Sequence, residues 1–330
     1  MSREQSAIIK GIAIILMLIY HLGNIPGIQG LDNLLYSTLS ASSHPVNFFL
    51  IVSGYGLYYV FSQGRISWHY LFKRTMKLYI AFWFVLLVFV VGLATWLYPG
   101  RFDISWSALI VNFIGWRWGY CIFTWFLMPY ILVSITAKRV FHVIERLGNV
   151  TSLIIGMVVY LFSCFLISRY FVPWLQWHFE VYHVILWAQS LFGLTVGVVM
   201  ARMCMAGKGI IWKRLDGKNL LVTFLLVALF VIRGQIHSAA LNPIHASLVV
   251  WLVLHLRWSG LLKKVFIELG DKSMIMWFSQ GFLGVVMFSE YILRLQSPLL
   301  IWIVWTVVCY LVACLIKPVV NMITRAVKLT

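Results

Sequence analysis

Apolar residues in this chain gather in long runs, and polar residues collect in the short gaps between them. A helix needs roughly 20 apolar residues to cross a bilayer core. Ten such runs are read at approximately 6–24, 45–61, 79–98, 121–137, 150–172, 183–201, 219–234, 243–257, 273–292 and 298–316, the seventh and eighth being short. No soluble domain, low-complexity linker or internal repeat interrupts the pattern. The prediction is an all-α fold: a polytopic integral membrane bundle of about ten transmembrane helices, with residues 1–330 as a single transmembrane domain. The first run lacks a convincing A-x-A cleavage site and is followed by many more, so it is read as a retained span rather than a signal peptide.

Basic residues orient the bundle, because Lys and Arg favour cytoplasmic gaps. Of the 26 Lys and Arg residues, only Arg101, Arg117, Arg169, Arg233 and Arg294 fall in one alternate set of gaps. The rest, including the Arg65–Lys77 and Arg202–Lys218 groups, fall in the other set. This split predicts cytoplasmic termini. The gap around Trp68–Tyr79 is then a cytoplasmic loop, and Trp116–Tyr120, Val172–His183 and Arg233–His245 open outward.

Composition agrees. The chain is 62% hydrophobic and 11% charged, with a mean hydropathy of +0.93. A soluble domain of this length has too little interior to hide so much apolar surface. The net charge of +17 would suggest nucleic acid for a soluble protein. Here the basic residues serve as orientation signals, and no basic patch interleaved with aromatics is seen, so nucleic-acid binding is excluded. Five cysteines show neither CxxC nor Cys/His metal spacing, so no disulfide framework, thiol nucleophile or metal is expected.

Two ionisable residues share a face of the first span. Lys10 and His21 are 11 residues apart, which on a helix is about three turns and ~16 Å. Ionisable residues at membrane depth are costly and mark functional sites by default. Three further patterns stand out: Phe48-Phe49-Leu50-Ile51-Val52-Ser53-Gly54-Tyr55-Gly56, Phe72-Lys73-Arg74-Thr75-Met76-Lys77-Leu78, and Leu269-Gly270-Asp271-Lys272-Ser273, which is read as a turn and helix start. Ser53 and Gly54 offer little bulk, so a neighbour or ligand can approach the backbone. Arg74 and Lys77, three apart, share a helix face and could clamp phosphates.

Taken in order, these patterns resemble the membrane-bound acyltransferase-3 family. Its signature runs, loosely, Arg-Gly-Ile-Ala…His in span one, Phe-Phe-x-x-Ser-Gly-Tyr in span two, Arg-x-x-Arg-Leu after it, Trp-Phe-Leu in span four and Leu-Gly-x-x-Ser near span nine. Here the fourth element is Trp125-Phe126-Leu127. Lys10 and Lys77 stand where the family usually has Arg, Ile80 where Pro is common, and Gln280 where many members carry His. Lysine keeps the charge but loses the bidentate fork.

The resemblance implies transfer of an acyl group, most often acetyl, from cytoplasmic acetyl-CoA or another acyl-CoA to a hydroxyl of a cell-envelope polysaccharide or its lipid-linked precursor. It also implies a multi-pass protein of the inner (plasma) membrane, here without a fused extracytoplasmic SGNH domain. Residues suited to the task are present. Arg74, Lys77 and Lys10 could hold the anionic CoA, with Ser53 and Gly54 beside the donor. His21 could act as general base or carry the acyl group itself. The partners expected are acyl-CoA and an envelope sugar or lipid-linked glycan; a second copy of the chain is compatible with the sequence.

Each residue also has a plainer reading. His21 could be an interfacial histidine, Lys10 a snorkelling cation, and Arg74 and Lys77 orientation signals. His44 before Pro45 could simply mark a turn. Glu180, His183, Arg233, His237, Asn242 and His245 could line an outward acceptor site or be solvated loop residues. A transporter or flippase for an anionic or lipid-linked substrate would use the same Lys and His as a relay. An envelope polysaccharide polymerase would carry a larger outward loop.

Overall fold

The computed structural model describes residues 1–23, 25, 27–28, 34–209, 211, 213–236 and 238–329. It is all-helical, with 80% of residues in helices and no strand among the described residues. The helices are α1 (Arg3–Leu22), α2 (Leu34–Ser42), α3 (Val46–Ser62), α4 (Trp68–Leu86), α5 (Thr95–Leu97), α6 (Trp106–Phe113), α7 (Leu127–Leu147), α8 (Asn149–Tyr170), α9 (Phe179–Met205), α10 (Asn219–Gln235), α11 (Asn242–Val253), α12 (Gly260–Gly281), α13 (Ser289–Leu293) and α14 (Pro298–Ala326). Two π-helical segments, Leu87–Ala94 and Phe282–Met287, prolong α4 and α12.

Seven helical stretches are long and apolar enough to cross a membrane. They include α1, α2 with α3, α4 with its π segment and α5, α7, α8, α9 and α14. All ten predicted runs fall on helix, but three do not meet that standard: α10 and α11 are short, and α12 is too charged. The first half of α12 carries Lys263, Lys264, Glu268, Asp271 and Lys272, which sequence reading placed outside the span. Four of those five are paired in space: Lys263 with Glu4 at 2.7 Å, Lys272 with Glu268, and Asp271 with Lys317 of α14.

Local chemistry sets several boundaries. Ser2 caps α1 by accepting from the Gln5 amide at 3.1 Å, while the Gln5 side chain accepts from the Ser2 amide at 2.8 Å, a reciprocal capping box. Ser67 caps α4 through the Tyr70 amide, so residues 68–79 are helical and not the predicted loop. Gly148, at φ 78°, ends α7, and α8 starts at the next residue. Among standard residues only glycine enters that region without steric cost.

Burial ranks the helices. In α9 and α1, 67% and 61% of the apolar window is enclosed, against 22% and 28% in α8 and α14, so the first pair is central and the second peripheral. The two central helices meet their neighbours through glycine. A methyl on Gly54 of α3 would fall on the Leu194 carbonyl of α9, and one on Gly197 would fall on the Ile51 carbonyl of α3. Gly11 of α1 and Gly270 of α12 pack in the same reciprocal way, against Phe266 and Ala7. Gly270 is therefore a mid-helix contact and not the turn expected from sequence. Close backbone approach through small residues is the usual membrane-helix interface.

Candidate active site

Helix α1 carries both ends of the site. Near its start, Lys10 is partly buried and within electrostatic reach of Arg74 and Tyr130. Arg74 reaches from α4 into the bundle, where its Nη2 donates to the Tyr130 hydroxyl at 2.6 Å and to Ser53 Oγ at 3.4 Å. The Ser53 and Tyr130 hydroxyls are 2.9 Å apart, and the guanidinium stands 5.9 Å from the centre of the Tyr130 ring. Four helices thus converge on one knot: α1, α3, α4 and α7. No carboxylate among the described residues forms an ion pair with Lys10 or Arg74, and the nearest counter-charge acting on Lys10 is the more distant Asp271. Two partly buried cations with no ion-pair partner among the described residues make a site that favours an anion.

Lys77 does not join this knot. It is exposed on α4, while Arg74 one turn earlier is engaged in the interior, so the two do not form the phosphate clamp expected from their spacing. A separation of three residues aligns two side chains on a helix only to within about 60°, enough here to send one inward and leave the other outside. Gly54 belongs to the α3–α9 contact, next to Ser53 but with no space of its own for a ligand.

Near the other end of α1, His21 lines a cavity of about 200 Å³. The imidazole is 6% exposed and stacks on Phe123, with centroids 4.2 Å apart and planes 13° from parallel. Its side chain also interacts with Gln280, which is fully buried. Both neighbours are held in place. The Phe123 carbonyl accepts from Trp277 Nε1 at 2.8 Å, and the Gln280 carbonyl accepts from Trp305 Nε1 at 3.2 Å. Gly281 allows α12 to lie against Cys121 and Phe123, which a methyl there would strike. The π turn that begins at Phe282 follows directly, and such turns concentrate at functional sites.

The remaining cavity wall is mixed. Tyr20, His44, Asn47, Gln189 and Asn242 supply polar groups, and Trp125 and Trp277 supply aromatic faces. A pocket with a few convergent polar groups among aromatics suits a sugar-sized molecule. Phe123 also lines a second cavity of about 700 Å³ with Tyr98, Arg101 and Tyr120.

Of the outward residues singled out by sequence, Asn242 lines the cavity, and Arg233 and His245 are buried beside it. Glu180 is exposed. His183 is buried elsewhere, its Nε2 2.9 Å from the Trp116 carbonyl and its ring beside Trp116 and Trp118. His237 lies outside the described residues. Sequence reasoning missed Tyr130, Asn47 and Gln189, and took His44 for a turn marker. Each is a lone polar residue in an apolar run, and only tertiary contact distinguishes it from an interface residue. Among the described residues, no three His, Cys, Asp or Glu side chains converge as a metal site.

Comparison of the chain with protein-family models, with curated proteins and with solved structures gives no match.

Proposed function

We propose that this protein is a membrane-bound O-acyltransferase, moving an acyl group, acetyl first among candidates, from cytoplasmic acyl-CoA to a hydroxyl of an envelope glycan or its lipid-linked precursor. The proposal includes the finer topology: ten spans, both termini cytoplasmic, in the inner (plasma) membrane. The observation that carries it is the pair of stations on α1. A cationic knot at Lys10 and Arg74 suits the phosphates of CoA, and His21 on a cavity wall suits the acceptor. About three turns, or ~16 Å, separate them, a span that the thin pantetheine arm can bridge.

In the reaction, the neutral imidazole of His21 takes the proton of the acceptor hydroxyl. The hydroxyl oxygen bonds to the acyl carbon, the carbon–sulfur bond breaks, and CoA leaves as a thiolate that recovers a proton. In the acyl-carrier variant, His21 nitrogen first bonds to the acyl carbon as the carbon–sulfur bond breaks, and CoA leaves as a thiolate that takes up the imidazole proton. The acceptor hydroxyl then bonds to that carbon as the carbon–nitrogen bond breaks, and its proton returns to the freed imidazole.

Arg74 and Lys77 separate in this scheme. Arg74→Ala is expected to raise the KM for acetyl-CoA about tenfold or more, the scale of a lost charge-assisted contact. Lys77→Ala should change it by less than about threefold, as for an exposed charge. Steady-state kinetics with radiolabelled acetyl-CoA measures both, and unchanged donor dependence in Arg74→Ala would remove Arg74 from the phosphate site.

One observation favours the second reading, a transporter or flippase: the π segments after α4 and α12 lie against each other, with Phe89 and Phe282 stacked at 5.5 Å and 6°. Interrupted helices at membrane depth are common in transporters. Saturable acetyl-CoA binding to the purified protein, lost in Arg74→Ala, would favour the enzyme; folded protein that binds no acetyl-CoA would favour the transporter.

A further inference from the structure

Arg233, near the end of α10, is 4% exposed. Its Nη atoms donate to the carbonyls of Ile236 and Ser238, the latter at 3.0 Å, and to Asn242 Oδ1. All three acceptors are neutral. Among the described residues its Nε is buried without a partner and no carboxylate forms an ion pair with it. A buried guanidinium normally has an anion beside it, because neutral acceptors recover only part of its lost hydration.

Two histidines share this neighbourhood. His245 on α11 is 3% exposed, and neither ring nitrogen has a hydrogen-bond partner among the described residues. The edge-on ring of Phe230, 5.0 Å away, does not satisfy them. His44, between α2 and α3, lines the His21 cavity. Arg233, His245 and His44 lie close enough for the charge of each to act on the others. Asn242 joins the group to the cavity, since it both lines the wall and holds Arg233. On the other side, the Tyr20 ring lies between the two imidazoles, its centroid 5.5 Å from that of His21 and 5.0 Å from that of His44.

We infer that the acceptor of this site is itself anionic: a sugar whose carboxylate or phosphate sits against Arg233, His245 and His44 while its hydroxyl meets His21. The inference rests on the acyl-transfer reading for the role of His21 and adds the charge of the acceptor. An acid group there would supply the counter-charge that Arg233, and the acceptor atoms that His245, do not find among the described residues. A neutral sugar would leave the guanidinium unbalanced.

The test uses the full chain purified in detergent, with calorimetric titration of methyl glucuronide, glucose 1-phosphate and the neutral methyl glucoside. At least one charged probe is expected to bind about tenfold tighter than the neutral one, the scale of a charge-assisted contact. Arg233→Gln and His245→Gln should each erase most of that preference; Arg233→Lys, which keeps the charge, should retain part of it and covers the case in which Arg233→Gln does not fold. Equal binding of all three probes, or a preference untouched by His245→Gln, would overturn the inference. Displacement of the charged probe by desulfo-CoA would reassign the cluster to the donor and overturn it as well. Asp32, outside the described residues, is the rival source of counter-charge. An Asp32→Asn protein that binds the charged probes as the wild type does would support the inference, and one that binds them about tenfold tighter would overturn it. Acetyl-CoA titrated into the same samples keeps the two readings apart. Discrimination without acetyl-CoA binding would retain the anion site and overturn acyl transfer; acetyl-CoA binding without discrimination would overturn the anion site alone.

Discussion

Replacing His21 by phenylalanine is expected to abolish acyl transfer and to leave the protein folded in the membrane. The imidazole is nearly enclosed, stacked on Phe123 and set against Gln280 at the wall of the cavity. Phenylalanine keeps the stack and most of the volume but cannot accept a proton or an acyl group. Loss of a general base costs about 10²–10⁴-fold in rate. His21→Ala should be equally inactive and slightly less stable, because it enlarges an existing cavity by a ring, at a cost of about 2 kcal/mol. Activity is read by radiolabelled transfer to a glycan acceptor, and folding by melting temperature in detergent. Full activity in folded His21→Phe would sink the general-base and acyl-carrier proposals together. Quenching the wild type with labelled acetyl-CoA in the absence of acceptor divides the two: label retained on the protein, and lost in His21→Phe, marks the carrier, while no label marks the base.

Much of α1 can be read directly from sequence, because its signals are local. The Ser2–Gln5 capping box, the apolar run and the shared face of Lys10 and His21 all lie within one segment. The start of α4 was obscured by charge. Residues 68–79 resemble a basic loop, yet Ser67 caps them and no Gly or Pro interrupts them. What makes Arg74 tolerable there is the Tyr130 hydroxyl, 56 positions away, and no local pattern predicts that contact. Helix α12 misled for the same reason. Its charges lower the hydropathy that a window averages, but Glu4 and the α14 residue Lys317 pair with them across helix boundaries. The cavity has the weakest sequence signal of all. It gathers single polar residues from α1, α3, α9 and α11, and each looks on its own segment like an isolated exception to an apolar run. Sequence marks Arg233 only as an outward charge, and its burial with no carboxylate partner among the described residues emerges only in three dimensions.

Gly270→Val is expected to separate α1 from α12 and, with them, both stations of the site. A side chain on Gly270 would run into the Ala7 carbonyl, and one on Gly11 into the Phe266 carbonyl. Backbone atoms cannot rotate away as a side-chain end can, so the helices must move apart. Overpacking costs about 1–3 kcal/mol when side chains can adjust, and the upper end applies where backbone must shift. The contact does more than hold the bundle together. The same α1–α12 pairing brings His21 to Gln280, and α1 also carries Lys10 to the Arg74–Tyr130 knot. The damage should therefore appear in function before the fold is lost: Gly270→Ala, with a single methyl, is expected to lower the melting temperature by several degrees and to reduce turnover more than Gly54→Ala, which strains α3 against α9 instead. Gly270→Val should lose the monodisperse peak in size-exclusion chromatography. A Gly270→Val protein with wild-type melting temperature and turnover would show that α1 and α12 do not touch backbone to backbone, and the arrangement of Lys10 and His21 derived from that contact would fall with it.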